Sequence, residues 1–89
     1  MSQETTIKAI HFRTDGTVVE LNINKDNMLA ELQEAVGGYI EFVYLHKPME
    51  KEALVVNEEG RLLNLPKNPH FTYFYGDVVL IKVNHLLPF

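Results

Sequence analysis

The chain has 89 residues, enough for one domain, since a second unit would need at least about 50 residues and a core of its own. It has no cysteine, which excludes a disulfide framework, a thiolate metal site and a cysteine nucleophile, and no run approaches the ~18 apolar residues of a membrane-spanning helix. A formal charge of −4, with eight basic residues scattered singly among twelve acidic ones, argues against the clustered Lys and Arg that bind nucleic acid by displacing counterions.

The opening "MSQETT" is polar and carries no basic region leading into an apolar run, so a cytoplasmic chain is expected. "TIKAIHF" then alternates, with Ile7, Ala9 and His11 facing one way and Ile10 and Phe12 the other. "RTDGT" and "VVELNI" follow. An Asp-Gly pair between two alternating runs predicts a hairpin turning at Asp15 and Gly16, with both central residues at φ > 0, between strands over residues 7–13 and 17–23.

"NKDNMLAELQEAVGG" reads as the one helix. Asn24, Asp26 or Asn27 can accept from the free N–H groups at its start, and Leu29, Leu32, Ala35 and Val36 form its apolar stripe with Met28 at the margin. Glu31, Gln33 and Glu34 face water. Gly37 or Gly38 ends it, because a helix commonly closes on a left-handed residue.

"YIEFVYL" is a strand with Tyr39, Glu41, Val43 and Leu45 on one face and Ile40, Phe42 and Tyr44 on the other. "HKPMEKE" is a polar connection. "ALVV" and "RLLNL" flank "NEEG", which predicts a second hairpin closing at Gly60. After "PKNPH", the last strand "VVLIKV" is expected to be buried. The fold class is therefore α+β, one domain over residues 1–89 with a polar tail at 1–5 and an apolar tail at 85–89. One helix packs on a curved, mostly antiparallel sheet of five or six strands, because a single helix cannot cover both faces of a large flat one.

Candidate chemistry is sparse. His11, His46, His70 and His85 form no closely spaced pair, so no metal and no cofactor is expected. Gly37 and Gly38 precede a strand and adjoin the negative end of the helix dipole, which disfavours phosphate binding there. Glu41, set in an apolar strand, either faces solvent or is buried against a donor. Glu58 and Glu59 sit in a turn. An enzyme using Glu41 or Glu58 as acid or base is the alternative these residues leave open. "FTYFYG" places Phe71, Tyr73 and Tyr75 either over the open end of the core or in an exposed patch for a partner, and the tail ending at Phe89 is either docked or a homodimer contact.

Four segments in series, "VGGYIE" (36–41), "NEEG" (57–60), "LPKN" (65–68) and "GDVVLI" (76–81), resemble a family of small proteins of unknown function carried by bacteriophages, plasmids and some bacterial chromosomes. The likeness covers residues 7–82. The chain departs from the family pattern after Asn68, with Pro69 and His70 where the family has a small residue, and in "FTYFY". The resemblance implies a context and no chemistry. By position it singles out Tyr39, Glu41, Asn57, Glu58 and Asn68 as candidate ligand-binding residues, although Asn57 and Asn68 also suit turns. Together with the aromatic run it implies a cytosolic, non-enzymatic module of mobile-element type that binds a host protein or a small molecule. An acidic mimic of nucleic acid is a further alternative.

Overall fold

The computed structural model describes residues 6–44 and 52–82. The N-terminal tail, most of the "HKPMEKE" connection and the C-terminal tail with Phe89 lie outside the described residues. Strands β1 (Thr6–Phe12) and β2 (Val18–Asn24) pair antiparallel with Phe12 opposite Val18. Their turn differs from the expectation. Only Gly16 has positive φ (95°), and Arg13 both donates to Thr17 O (2.9 Å) and accepts from Gly16 N–H (3.0 Å). Three residues therefore connect the strands, with the left-handed residue last. Asp15 accepts from the Thr17 N–H (2.9 Å) and hydroxyl (2.7 Å), and these bonds, the backbone one first, hold its carboxyl below the ordinary range.

A 3-10 turn (Lys25–Asn27) leads into helix α1 (Met28–Val36). Of the three capping candidates, Asn24 does the work: its side chain accepts from Asp26 N–H (2.8 Å), while the Glu31 carboxylate accepts from Asn24 N–H (3.0 Å). These reciprocal bonds satisfy donors that the helix start leaves free. The buried stripe is Met28, Leu32 and Val36, an i, i+4, i+8 row, with Ala35 beside it. Leu29, expected in that stripe, is exposed. The preceding 3-10 turn sets the phase of α1 so that the row starting at Met28 meets the sheet.

Strands β3 (Ile40–Tyr44), β4 (Glu52–Asn57) and β5 (Val78–Lys82) complete one open, fully antiparallel sheet in the order β2-β1-β5-β4-β3. Alternating antiparallel neighbours make the two edge strands, β2 and β3, run in the same direction, so the chain between them must cross the sheet. Four strand spacings amount to about 19 Å. The 3-10 turn and α1 end to end cover about 20 Å, from their usual rises per residue. The one helix is thus the bridge from one sheet edge to the other.

The expected second hairpin is absent. "RLLNL" is not a strand: β4 pairs with β5, and residues 58–77 form a long excursion between them. Its first part is a series of tight turns, with Gly60 N–H on Asn57 O, Leu63 N–H on Glu59 O and Asn64 at φ 57°. The later part covers the sheet face opposite the helix, where Phe71 and Phe74 pack with Phe12, Leu54, Val56 and Val78. The helix-side core is made of Ala9, Ile23, Leu32, Val36, Val55, Val79 and Ile81. Both faces of β4 are therefore covered, which explains its unbroken apolar run. The sheet, expected to be curved, is open and not clearly curved.

Leu32 is fully buried under the sheet, so Leu32→Ala is expected to lower stability by about 2 to 5 kcal/mol in urea unfolding, and Leu29→Ala by less than about 1. Equal losses would overturn the helix phase. Gly37 has φ 80°, and Gly37→Ala is expected to lose about 1 kcal/mol or more through backbone strain.

Candidate functional site

The segments singled out in the sequence meet at one end of the sheet. Gly37 and Gly38 both donate to Gln33 O (2.8 and 3.0 Å), which closes α1 in the Schellman manner. The last helical carbonyl, Val36 O, accepts from the Asn57 side chain (3.0 Å), whose oxygen accepts from Glu59 N–H (2.7 Å). A Cβ on Gly38 would lie 2.9 Å from Asn57 Nδ2. The bare backbone at Gly38 thus makes room for the protein's own side chain. Glu58 N–H donates to Tyr39 O (2.8 Å), so "VGGYIE" and "NEEG" are joined by side chain and backbone together.

Asn68 is the second tie. It is fully buried, its amide donates to Phe12 O and Gly76 O (3.0 Å each), and its oxygen accepts from His70 N–H (2.9 Å) and Phe71 N–H (3.2 Å). Both N–H donors and both lone pairs of the amide are used. Gly76 N–H donates to Pro66 O (2.7 Å), and Asn68 N–H to Phe74 O (2.9 Å). Phe71 lies edge-on to Phe12 (4.9 Å, 84°), and the Lys67 ammonium sits 5.8 Å from the Tyr75 ring centroid. Tyr73 projects outward, 90 % exposed.

The five candidate ligand-binding residues therefore divide. Asn57 and Asn68 are buried, and both the nitrogen and the oxygen of each amide are bonded to the protein's own backbone. Tyr39 (66 % exposed), Glu41 and Glu58 are at the surface. Tyr39, Asn57 and Glu58 come together, whereas Asn68 belongs to a separate cluster, so the five candidates do not converge on one ligand. Of the expected partner surface, Phe71 packs inward, Tyr75 is half-buried and Tyr73 is exposed.

His11, for which the sequence offered no partner, and Asp77, which was not a candidate site residue, form a part-buried polar contact. His11 Nε2 bonds to Asp77 Oδ2 (2.8 Å), and Asp77 Oδ1 accepts from Thr14 N–H (3.0 Å). The pair joins β1, the hairpin turn and the entry to β5. On one side of it lies a groove of ≈ 540 Å³ between α1 and the β1–β2 hairpin, bordered by His11, Arg13, Asn22, Glu31 and Glu34. On the other is a smaller one of ≈ 310 Å³, reached by Thr14, Gly37, Pro66 and Asp77. Glu34 and Ala35 border both. The alternation of β1 placed His11 on the inner face, but Asp77 is 66 residues away, beyond any local spacing rule. Among the described residues no three His, Cys, Asp or Glu side chains cluster as a metal site would require, and no helix is long and apolar enough to cross a membrane.

Asn68→Asp puts carboxylate oxygens against two carbonyl oxygens and is expected to lose about 3 kcal/mol or more in urea unfolding at pH 7. A loss below about 1 kcal/mol would show that the amide is not the tie described.

The domain family described as "Domain of unknown function (DUF3846)" matches residues 7–85. No curated protein and no solved structure matches the chain. The family match runs from the first turn of β1 to beyond the end of β5 and so takes in the whole sheet, the helix and the long excursion: the chain belongs to the DUF3846 family, whose function is unknown.

Proposed function

We propose that this domain is a small, cytoplasmic, non-enzymatic binding module of mobile-element type that works by holding a host protein against its motif-bearing end. The observation that carries this reading is a division of labour among the residues there. Asn57 and Asn68 are bonded inward, while Tyr39, Leu62 (83 % exposed) and Leu63 are turned outward nearby, beside the exposed charges of Glu58, Glu59 and Arg61. Leu62 and Leu63 follow directly on "NEEG", and the Glu58 bond to Tyr39 O brings that turn to the start of β3.

Exposed Tyr and Leu on a firmly tied frame suit a protein interface. Such side chains bury apolar area on docking at little cost in backbone ordering. Single exposed apolar residues are ordinary on any surface, but three carried on two hydrogen-bonded segments are a local concentration. The likeness of the four segments to proteins of phages and plasmids supports a host protein as the partner. Glu41 and Glu58 are exposed and border neither groove, which weighs against the acid/base alternative.

A photo-crosslinking amino acid at position 39, 62 or 73, introduced in cells, is the test, with position 20 on the far edge strand as control. A discrete adduct to one other protein is expected at 39 and 62, lost on Leu63→Ser and absent at 20. Adducts of twice the chain's mass would replace the host protein with a second copy. No adduct at any of the three positions would overturn the proposal.

A further inference from the structure

His11 has a side chain only 9 % exposed, and one of its two ring nitrogens is occupied by Asp77. The other, Nδ1, makes no hydrogen bond among the described residues, and no polar side-chain atom among them is both sealed from solvent and unpartnered. Nδ1 therefore opens outward, and the ≈ 540 Å³ groove is the space His11 borders. An ionised carboxylate only accepts, so Asp77 accepts from Nε2–H, and in that tautomer Nδ1 keeps its lone pair. The buried pair thus presents a fixed acceptor at the base of the groove. Asp77 is itself held by Thr14 N–H, so the ring has little freedom to turn away.

The groove's charge points to what would meet that acceptor. Glu34 makes no hydrogen bond or ion pair among the described residues, and Glu31 gives only Asn24 N–H one carboxylate oxygen. Among the described residues, Arg13 is the one Lys or Arg side chain that borders the groove. Two carboxylates, Glu31 and Glu34, against one guanidinium leave the groove's lining with an excess of negative charge, in a protein of formal charge −4. Leu21 and Ile23 supply an apolar floor, and the volume is in the range that holds small ligands. We propose that the groove between α1 and the β1–β2 hairpin binds a small organic cation with N–H donors, an amine or guanidine, with His11 Nδ1 accepting one N–H and Glu34 facing the positive charge. This site is separate from the surface of Tyr39, Leu62 and Leu63, and each can fail without the other.

The experiment is an NMR titration of the full-length, 15N-labelled chain at pH 8 with putrescine and with agmatine, and with succinate as the anionic comparison. It follows the imidazole nitrogens of His11 and the backbone amides of Ile23, Asn27 and Ala35. Expected are saturable shifts with at least one of the two cations, including the His11 Nδ1 resonance, and about tenfold weaker binding to Glu34→Gln. Glu34 is exposed, so that variant keeps the fold, and reading Nδ1 directly avoids dependence on a His11 variant that unfolds. Three results would each overturn the proposal: no saturable shift with either cation, equal affinity in Glu34→Gln, or succinate binding as tightly as the amines.

Discussion

The buried amide of Asn68 is the constraint on which the far end of the molecule depends. Adjacent antiparallel strands such as β4 and β5 can be joined by a two-residue turn, yet residues 58–77 leave the sheet between them. An excursion of that length carries many backbone polar groups and no ladder to satisfy them. Asn68 solves this by binding four backbone groups at once, on β1, on the approach to β5 and on the loop itself. Two of those groups, Phe12 O and Phe71 N–H, belong to residues whose rings stack edge-on. The polar tie and the apolar contact therefore set the same geometry, and the loop can cover the second face of the sheet.

Asn57 plays a related part at the helix end. A helix leaves its last carbonyls without partners, and Val36 O finds one in the Asn57 amide because Gly38 has no Cβ to block the approach. Two neighbouring glycines thus do different things. Gly37 adopts the left-handed conformation that stops the helix, and Gly38 admits a side chain from β4. The helix terminus, β4 and the first turn after it become one hydrogen-bonded unit, which carries exposed Tyr39 and leads into the Leu62–Leu63 turn.

Much of this architecture was legible in the sequence, and the parts that were not share a physical cause. Alternation revealed β1 and β2 with His11 on the face of Ile7 and Ala9, the glycine pair revealed the end of α1, and parity along "YIEFVY" put Ile40 and Phe42 on one face, the face that packs against the helix-side core. These are local signals. Leu29 was misassigned because the phase of a nine-residue helix shifts with the 3-10 turn before it. "RLLNL" looked like a strand, but its backbone closes turns on Glu59 and Gly60, and Leu62 and Leu63 face solvent. For the candidate site, motif position pointed to Asn57 and Asn68, and the alternative already stated for them, that they hold turns, is closer to what their bonds do. The pair His11 and Asp77 was invisible, since nothing local to either residue signals a partner in a distant strand.

That pair also shows why structural and recognition roles need not compete in so small a domain. Asp77 satisfies Thr14 N–H with one oxygen and His11 with the other, so a single carboxylate stabilises the hairpin turn and orients the ring. A free histidine at a groove would sample several rotamers, and ordering it on binding would cost conformational entropy. A ring already anchored through Nε2 avoids most of that cost, and its second nitrogen is available because the first carries the structural bond. With about 60 % of the unfolded surface buried in a chain of this size, there is little interior to devote to a separate binding cavity. A groove at the junction of helix and hairpin, whose polar base is already part of the fold's own hydrogen bonding, is the kind of site that such a domain can carry without weakening its core.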